Sequence, residues 1–405
     1  MILGCGYVGS RLARSLVADG QHVVACTHNR AQLEAAEALG AEAHSFEATR
    51  SQAFRHALGY HRRATVVYAL PLIPGSPPGD TINRAIAASL RMGAERFVYL
   101  SSTAIYGEGR DGQVVDEGSP LDNDDPEARV HIGAEGPLAD ARANGLDTII
   151  LRLSSIYGPG RGVRERLRDG SYKLLDDGQH VYSRVHVDDV VGIIRAAVDR
   201  APTNATYCVA DDRPCPQGEY AGWLAERMEL KAPPSVPALA PGQPRHRIRN
   251  RAVSNAKLKR ELDYTFRYPS YVEGEQAIER DQGLEVRPAP PPPLVIHRRG
   301  ASPDQLVEQS QLRRLALSYR ELAPGVHPLA ALDTAGDGSR DRANAGPSEA
   351  LLMALSGGLT VHRDDDRQAL EPGDVLEIPA HAASAHIRLE VSGAGPATLA
   401  VIRAR

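Results

Sequence analysis

Little in this sequence marks a specialised class of protein. Among 405 residues there are four cysteines, Cys5, Cys26, Cys208 and Cys215, spaced neither as a zinc site nor as a disulfide framework. A reducing compartment, the cytoplasm, is therefore expected. No apolar run approaches the roughly 20 residues that span a bilayer, so no membrane segment is expected. The formal net charge is only −4, which leaves no electrostatic footprint for nucleic acid or an anionic membrane. The first motif begins at Gly4, so no signal peptide is expected ahead of it. The short stretch Met1–Leu3 before it points to a start further upstream, which N-terminal sequencing of the native protein checks. Lysine is also missing from the whole first part of the chain, where Lys173 is the first to occur.

What is present is a glycine pattern. Residues 4–9 read Gly-Cys-Gly-Tyr-Val-Gly, and a helical segment follows from Ser10. G-x-G-x-x-G at a strand-to-helix turn is a dinucleotide fingerprint. Gly4 permits the tight turn, Gly6 lets the backbone approach a pyrophosphate, and Gly9 lets helix and strand pack closely. Tyr7 and Val8 lie inside the same loop, and the helix N-terminus offers N–H groups to the anion. At the end of the second strand, where an NAD site usually offers an acid to the ribose diol, this chain has Cys26-Thr-His-Asn-Arg30. His28 and Arg30 could instead meet a 2′-phosphate, so the expectation leans to NADP, with NAD as the alternative. The competing reading is that Arg30 merely opens an exposed helix.

The length predicts two domains at roughly 100–200 residues each. Residues 1–200 alternate short apolar runs (His22–Cys26, Ala64–Ala69, Arg96–Leu100, Asp147–Leu153) with alanine-rich helical stretches. That alternation predicts an α/β domain, a doubly wound parallel sheet of Rossmann type. Between residues 200 and 283, a strand at Ala205–Ala210 and helices at Gln217–Leu230 and Val253–Leu262 could form a lid over a substrate cleft, the last helix capped by Ser254 or Asn255. Residues 284–296 are proline-rich and read as a stiff linker. From 297 to 405 short strands (Gln311–Leu322, Ala350–Leu355, Leu359–His362, Asp374–Ile378, Ala397–Arg403) predict a small all-β barrel or sandwich, with a mobile loop at Asp333–Pro347.

Three further segments follow the glycine loop: Val98-Tyr-Leu-Ser-Ser-Thr-Ala-Ile-Tyr-Gly107, Leu151-Arg-Leu-Ser-Ser-Ile-Tyr-Gly-Pro-Gly160 and Arg184-Val-His-Val-Asp-Asp-Val-Val191. With the loop, and in this order, they resemble the extended short-chain dehydrogenase/reductase superfamily of the NAD-dependent epimerase/dehydratase type, over about residues 1–280. The resemblance implies that Ser102 bonds the substrate oxygen that gains or loses a proton. Its alternative is a strand-end cap. The family's Tyr-x-x-x-Lys pair, in which the lysine favours phenolate, is missing. Pro126–Glu135 stands in its place, where His131 and Glu135 share a helix face and Arg129 adds charge. His131 or Glu135 is the catalytic candidate there, His131 because an imidazole moves protons near neutral pH; the competing reading is a solvated helix with ordinary surface charges. Tyr106, a second catalytic candidate, and also Tyr157 and His186 stand at strand ends, where a cleft role competes with core packing. The basic run Arg245–Arg251 reads as a solvated loop, or as contact for a phosphorylated substrate or another subunit. The departure from the pair fits atypical members of the superfamily, in particular the nucleoside-diphosphate-sugar epimerase subgroup.

Glu349–Val361 and Leu370–His381 are similar to the two halves of a cupin barrel, the second through Pro-Gly-Asp and Ile-Pro. The paired histidines of a metal cupin are missing. Glu349, His381 and His386, with His327 and His362 behind them, are too few for the usual imidazole set, so no metal is expected. Two functions follow. The first is an NAD(P)-dependent oxidoreductase or epimerase acting on a small hydroxyl or carbonyl substrate, with a nucleotide sugar among the substrates the resemblance implies. The second is a catalytically reduced NAD(P)-binding sensor or scaffold, with the cupin-like part reading a ligand or joining two copies. A homodimer through a helix pair is an expectation of the resemblance alone.

Overall fold

The computed structural model describes residues 1–283 apart from 51, 59–62, 74, 110–111 and 239–248, and nine strands beyond them. The chain divides into two compact units, Met1–Arg287 and Pro288–Arg405.

The first unit is built on a seven-stranded parallel sheet. Its strands are β1 (Ile2–Leu3), β2 (Val24–Thr27), β3 (Glu42–Ser45), β4 (Thr65–Tyr68), β5 (Arg96–Ser102), β6 (Asp147–Leu153) and β7 (Thr206–Val209). They lie in the order β7-β6-β5-β4-β1-β2-β3. The order reverses between β1 and β4, and this switch point is where a doubly wound sheet opens a crevice for ligand. Alternation along each strand fills two cores. Ile2, Val67, Val98, Ile149 and Leu151 pack on one face. Leu3, Val66, Tyr68, Phe97, Tyr99 and Ile150 pack on the other. This period of two is why the strands read as continuous apolar runs, as expected of a sheet covered on both sides.

The helices that position the site are α1 (Gly9–Ala18), α2 (Arg30–Ala38), α3 (Ala53–Leu58), α4 (Asp80–Met92), α5 (Pro126–Ala143), α6 (Val163–Arg168) and α7 (Val187–Arg200). Helix α5 starts at the Asp125 cap, whose side chain accepts from the Ala128 N–H, with Pro126 in its first turn. Pro137 lies inside it and carries no N–H for the Gly133 carbonyl one turn earlier. Gly79 packs against that carbonyl, where a Cβ would come within 2.8 Å of it.

The helix expected from Val253 begins later, at Ala256, because Arg251–Val253 forms a strand paired in parallel with Gly112–Val115. Asn255 holds the cap position but spends its amide on the Ala210 carbonyl and on Asp212. All four cysteines are free and buried. Among the described residues no helix is long and apolar enough to cross a membrane.

The described strands of the second unit are all antiparallel. One sheet has the order Val295–His297, Val375–Ile378, Ala350–Ser356, Ala397–Ala404, Leu315–Leu322. The other runs Gly325–Pro328, Ile387–Ser392, Gly358–Arg363, Asp366–Leu370. Strand Val295–His297 starts inside the stretch read as linker. Glu349, His381, His386 and the loop Asp333–Pro347 lie outside the described residues.

Candidate functional site

The glycine loop lies between β1 and α1, beside the switch point. Gly4 has φ +101°, and a Cβ there would come within 2.9 Å of the Ala69 carbonyl carbon after β4. Gly9 opens α1 directly over the Gly4 carbonyl, where a Cβ would sit 2.0 Å from the oxygen. At Gly6 a Cβ would meet nothing within 4 Å. The loop is therefore tight beneath and open above. Val8, at the N-cap of α1, supplies no side-chain cap. Open backbone and an uncapped helix start fit the pyrophosphate of a dinucleotide. Tyr7 contributes through its place in the loop, but its ring is turned elsewhere. It lies between the Arg11 and Arg161 guanidinium groups, 4.0 and 5.2 Å from its centre, and its hydroxyl donates to the Pro159 carbonyl. His28 and Arg30, just beyond the end of β2, are exposed. Asn29 caps α2, and Arg30 pairs with Glu34 at 2.8 Å on the surface.

The C-terminal ends of β5 and β6 open into a cleft of 1040 Å³ lined by Leu72, Ser102, His131, Ser155, Arg161 and Arg249, among others. Ser102 is half-buried, and its Oγ accepts from the Ala104 N–H at 3.1 Å, so it does cap the turn that follows β5. A hydroxyl that accepts in this way keeps its own proton to donate. Capping and substrate bonding are therefore compatible at Ser102. His131 is half-buried on α5 and faces the same cleft.

Three sequence expectations are corrected. Tyr106 is not in the cleft. The short 3₁₀ turn Thr103–Tyr106 carries its ring inward, where its hydroxyl accepts from Arg152 at 2.7 Å and lies 3.2 Å from the Cys208 sulfur. Burial pushes its phenol further up. Glu135, one turn after His131 on α5, is held by Arg152 through two contacts of 2.8 and 3.1 Å and accepts from Ser101 at 2.6 Å. A carboxylate so committed inside the protein is structural, and breaking such a pair costs about 3–5 kcal/mol. Of the basic run, Arg249 pairs with Glu127 at 2.6 Å and Arg251 donates to the carbonyls of Thr103 and Gly107, while 245–248 lie outside the described residues.

Tyr157 and His186 also belong to the interior. Tyr157 donates to the Ser270 carbonyl at 3.1 Å. His186 caps α7, its Nδ1 accepting from the Asp188 N–H at 3.2 Å. Its Nε2 is buried with no hydrogen-bond partner among the described residues. The ring packs at steep angles against Tyr157 and Tyr268, with centroids 5.2 and 4.2 Å away.

Burial pushes the His186 imidazole down to about 4 from 6.5. The unfolded chain then takes a proton on this ring before the folded one does. The stability it contributes is full above pH 6.5 and is lost as pH falls toward 4. Its neighbour Asp189 opposes it, since burial raises that carboxyl to about 6 and the folded form protonates first. His186→Asn keeps a capping acceptor and removes the titration. Its destabilisation relative to wild type is expected to shrink by roughly 2–3 kcal/mol between pH 7 and pH 4, read from denaturant unfolding at each pH.

A parallel sheet with a glycine-loop crevice, and a serine and a histidine at its carboxyl edge, defines a dinucleotide-binding protein of Rossmann type. The model of the NAD dependent epimerase/dehydratase family matches residues 1–210. The 3-diazoavenalumate denitrifying reductase of a Streptomyces species is 31% identical over 261 residues, which cover 58% of this chain and 83% of that protein. A functionally unknown conserved protein from Silicibacter pomeroyi has a solved structure that is 30% identical with a TM-score of 0.57, covering 69% of this chain and 97% of that one. The dTDP-glucose 4,6-dehydratase of Streptomyces venezuelae, solved with NAD bound, shares the fold at a TM-score of 0.59 and 21% identity, over 70% of this chain and 98% of that one. The chain belongs to the NAD dependent epimerase/dehydratase family, whose members bind NAD(P).

Proposed function

We propose that the first unit is an NADPH-dependent reductase of a small carbonyl substrate. The observation that carries this reading is that Ser102 and His131 line one cleft, while Glu135, one turn after His131, is committed to Arg152. Epimerases and dehydratases of the usual kind begin by oxidising a hydroxyl, which needs a strong base made by a tyrosine and its lysine. Reduction needs only a group that polarises the carbonyl and a proton source. Ser102 Oγ–H donates to the carbonyl oxygen, and His131 or a water delivers the proton that completes the alcohol. The nicotinamide, when bound, supplies the hydride to the carbonyl carbon. A relative at 31% identity is itself a reductase.

NADPH is preferred because His28 and Arg30 stand exposed where an acid would select NAD. The Arg30–Glu34 pair is a surface pair worth little and gives way to a phosphate. Arg30→Ala is expected to weaken NADPH binding roughly tenfold and leave NADH unchanged, as measured by titration calorimetry. Equal loss for both cofactors would remove the phosphate from the account.

A second reading is favoured by the missing tyrosine–lysine pair, with Glu135 held by Arg152 instead of free in the cleft. The protein then binds NADP(H) without turnover, and the second unit, a cupin-like module without metal, reads a ligand or joins two copies. Its two antiparallel sheets support that module. Tight NADPH binding with no consumption across a broad panel of carbonyl compounds would select this reading.

A further inference from the structure

On α5, His131 stands between two carboxylates, Glu127 one turn before it and Glu135 one turn after. Positions four apart on a helix share a face, with Cβ atoms about 5–6 Å apart. The two acids meet different surroundings. Glu135 is turned inward, its side chain 10% exposed, and Arg152 donates to both of its oxygens. Glu127 lies on the open side, its side chain 26% exposed, and lines the cleft together with His131 and Ser102. It also borders a smaller cavity of 390 Å³ at Ser102. Arg249, just ahead of the Arg251–Val253 strand, donates to Glu127 Oε2 at 2.6 Å and holds the carboxylate in place.

The charges that meet in the cleft are the carboxylates of Glu108, Asp125 and Glu127 and the guanidinium groups of Arg161 and Arg249. Asp125 caps α5, and Glu127 is the cleft carboxylate that shares a helix face with His131. Tyr99 also borders the cleft, but burial pushes its phenol up and leaves it uncharged. Arg129 is exposed and is not part of the lining. A carboxylate close by favours the charged form of an imidazole, and an imidazolium is the form that can give a proton to a reduced carbonyl.

We propose that Glu127 is a positioning residue that acts through His131: its carboxylate keeps the imidazole protonated at the cleft, so that His131, and not a water, delivers the proton beside Ser102. In that step the oxygen of the carbonyl that has taken up hydride receives the imidazolium proton, the ring is left neutral, and solvent in the open cleft returns the proton. The delivery rests on the reductase reading given above. The coupling of Glu127 to His131 does not, and it is tested without cofactor or turnover.

The experiment follows the His131 ring of the full-length protein by NMR as the pH is raised, its signal identified by its loss in His131→Gln. Glu127→Gln removes a nearby carboxylate and is expected to lower the pH at which the ring gives up its proton by roughly 0.5–1. Arg249→Gln removes a cation and leaves the carboxylate, so it is expected to raise that pH, and Glu127→Asp is expected to stay close to wild type. A merely structural ion pair does not give opposite shifts from its two ends. Arg249→Gln also carries the test should Glu127→Gln not fold. A His131 ring that titrates as in wild type in every folded variant overturns the proposal. In turnover, the fall of kcat with rising pH is expected to move down by the same amount in Glu127→Gln, with the KM for NADPH little changed. A lower rate with that fall unmoved gives the proton to water and overturns the proposal as well. Opposite shifts of the ring, with no NADPH consumption by wild type for any carbonyl compound, uphold the coupling and remove the reductase reading alone.

Discussion

Gly9→Ala is expected to lose both dinucleotide binding and stability. Its new methyl would lie 2.0 Å from the Gly4 carbonyl oxygen, and that neighbour is backbone that cannot swing aside. Either β1 and α1 separate or the loop unwinds. Overpacking of this kind costs about 1–3 kcal/mol or more. Gly6→Ala is the informative control. A methyl at Gly6 meets nothing within 4 Å and needs no unusual φ, so the fold is expected to be unaffected. The same methyl occupies space that the pyrophosphate needs, so NADPH affinity is expected to fall roughly tenfold or more. Unfolding midpoints together with calorimetric titration separate the two effects. A Gly6→Ala protein that binds NADPH as well as wild type would place the pyrophosphate elsewhere.

Ser102→Ala is expected to reduce turnover by roughly a hundredfold to a thousandfold, the scale of a lost donor at a developing oxyanion, while NADPH affinity stays unchanged. The substitution also removes the cap on Ala104, which costs about 1 kcal/mol. A merely structural serine would show that loss of stability with little change in turnover. Ser102→Thr, which keeps the hydroxyl and the cap, is expected to recover part of the rate. Steady-state kinetics beside denaturant unfolding on the three proteins distinguishes the roles.

Most of the sheet and the cofactor loop were legible in the chain because both are local, but β7, expected in a lid, is an edge strand of the main sheet, paired with β6. Period-two apolar runs and the spacing Gly4, Gly6, Gly9 depend only on neighbours in sequence. β3 escaped notice because Glu42–Ser45 is a short polar edge strand with no apolar alternation. The fate of Tyr106 was not legible, since its partner Arg152 lies 46 residues away and a single 3₁₀ turn decides which way the ring faces. Glu135 read as a helix-face carboxylate for the same reason. Nothing near it in sequence announces the guanidinium that closes over it.

The most direct test of the central claim follows deuteride from NADPH labelled at the nicotinamide C4 into a panel of small carbonyl compounds, acidic ones included, with wild type and Ser102→Ala side by side. Mass spectrometry of the products reads the result. The account predicts a labelled alcohol from wild type and little or none from Ser102→Ala under the same conditions. A wild-type protein that binds NADPH tightly and transfers no label to any carbonyl would contradict it.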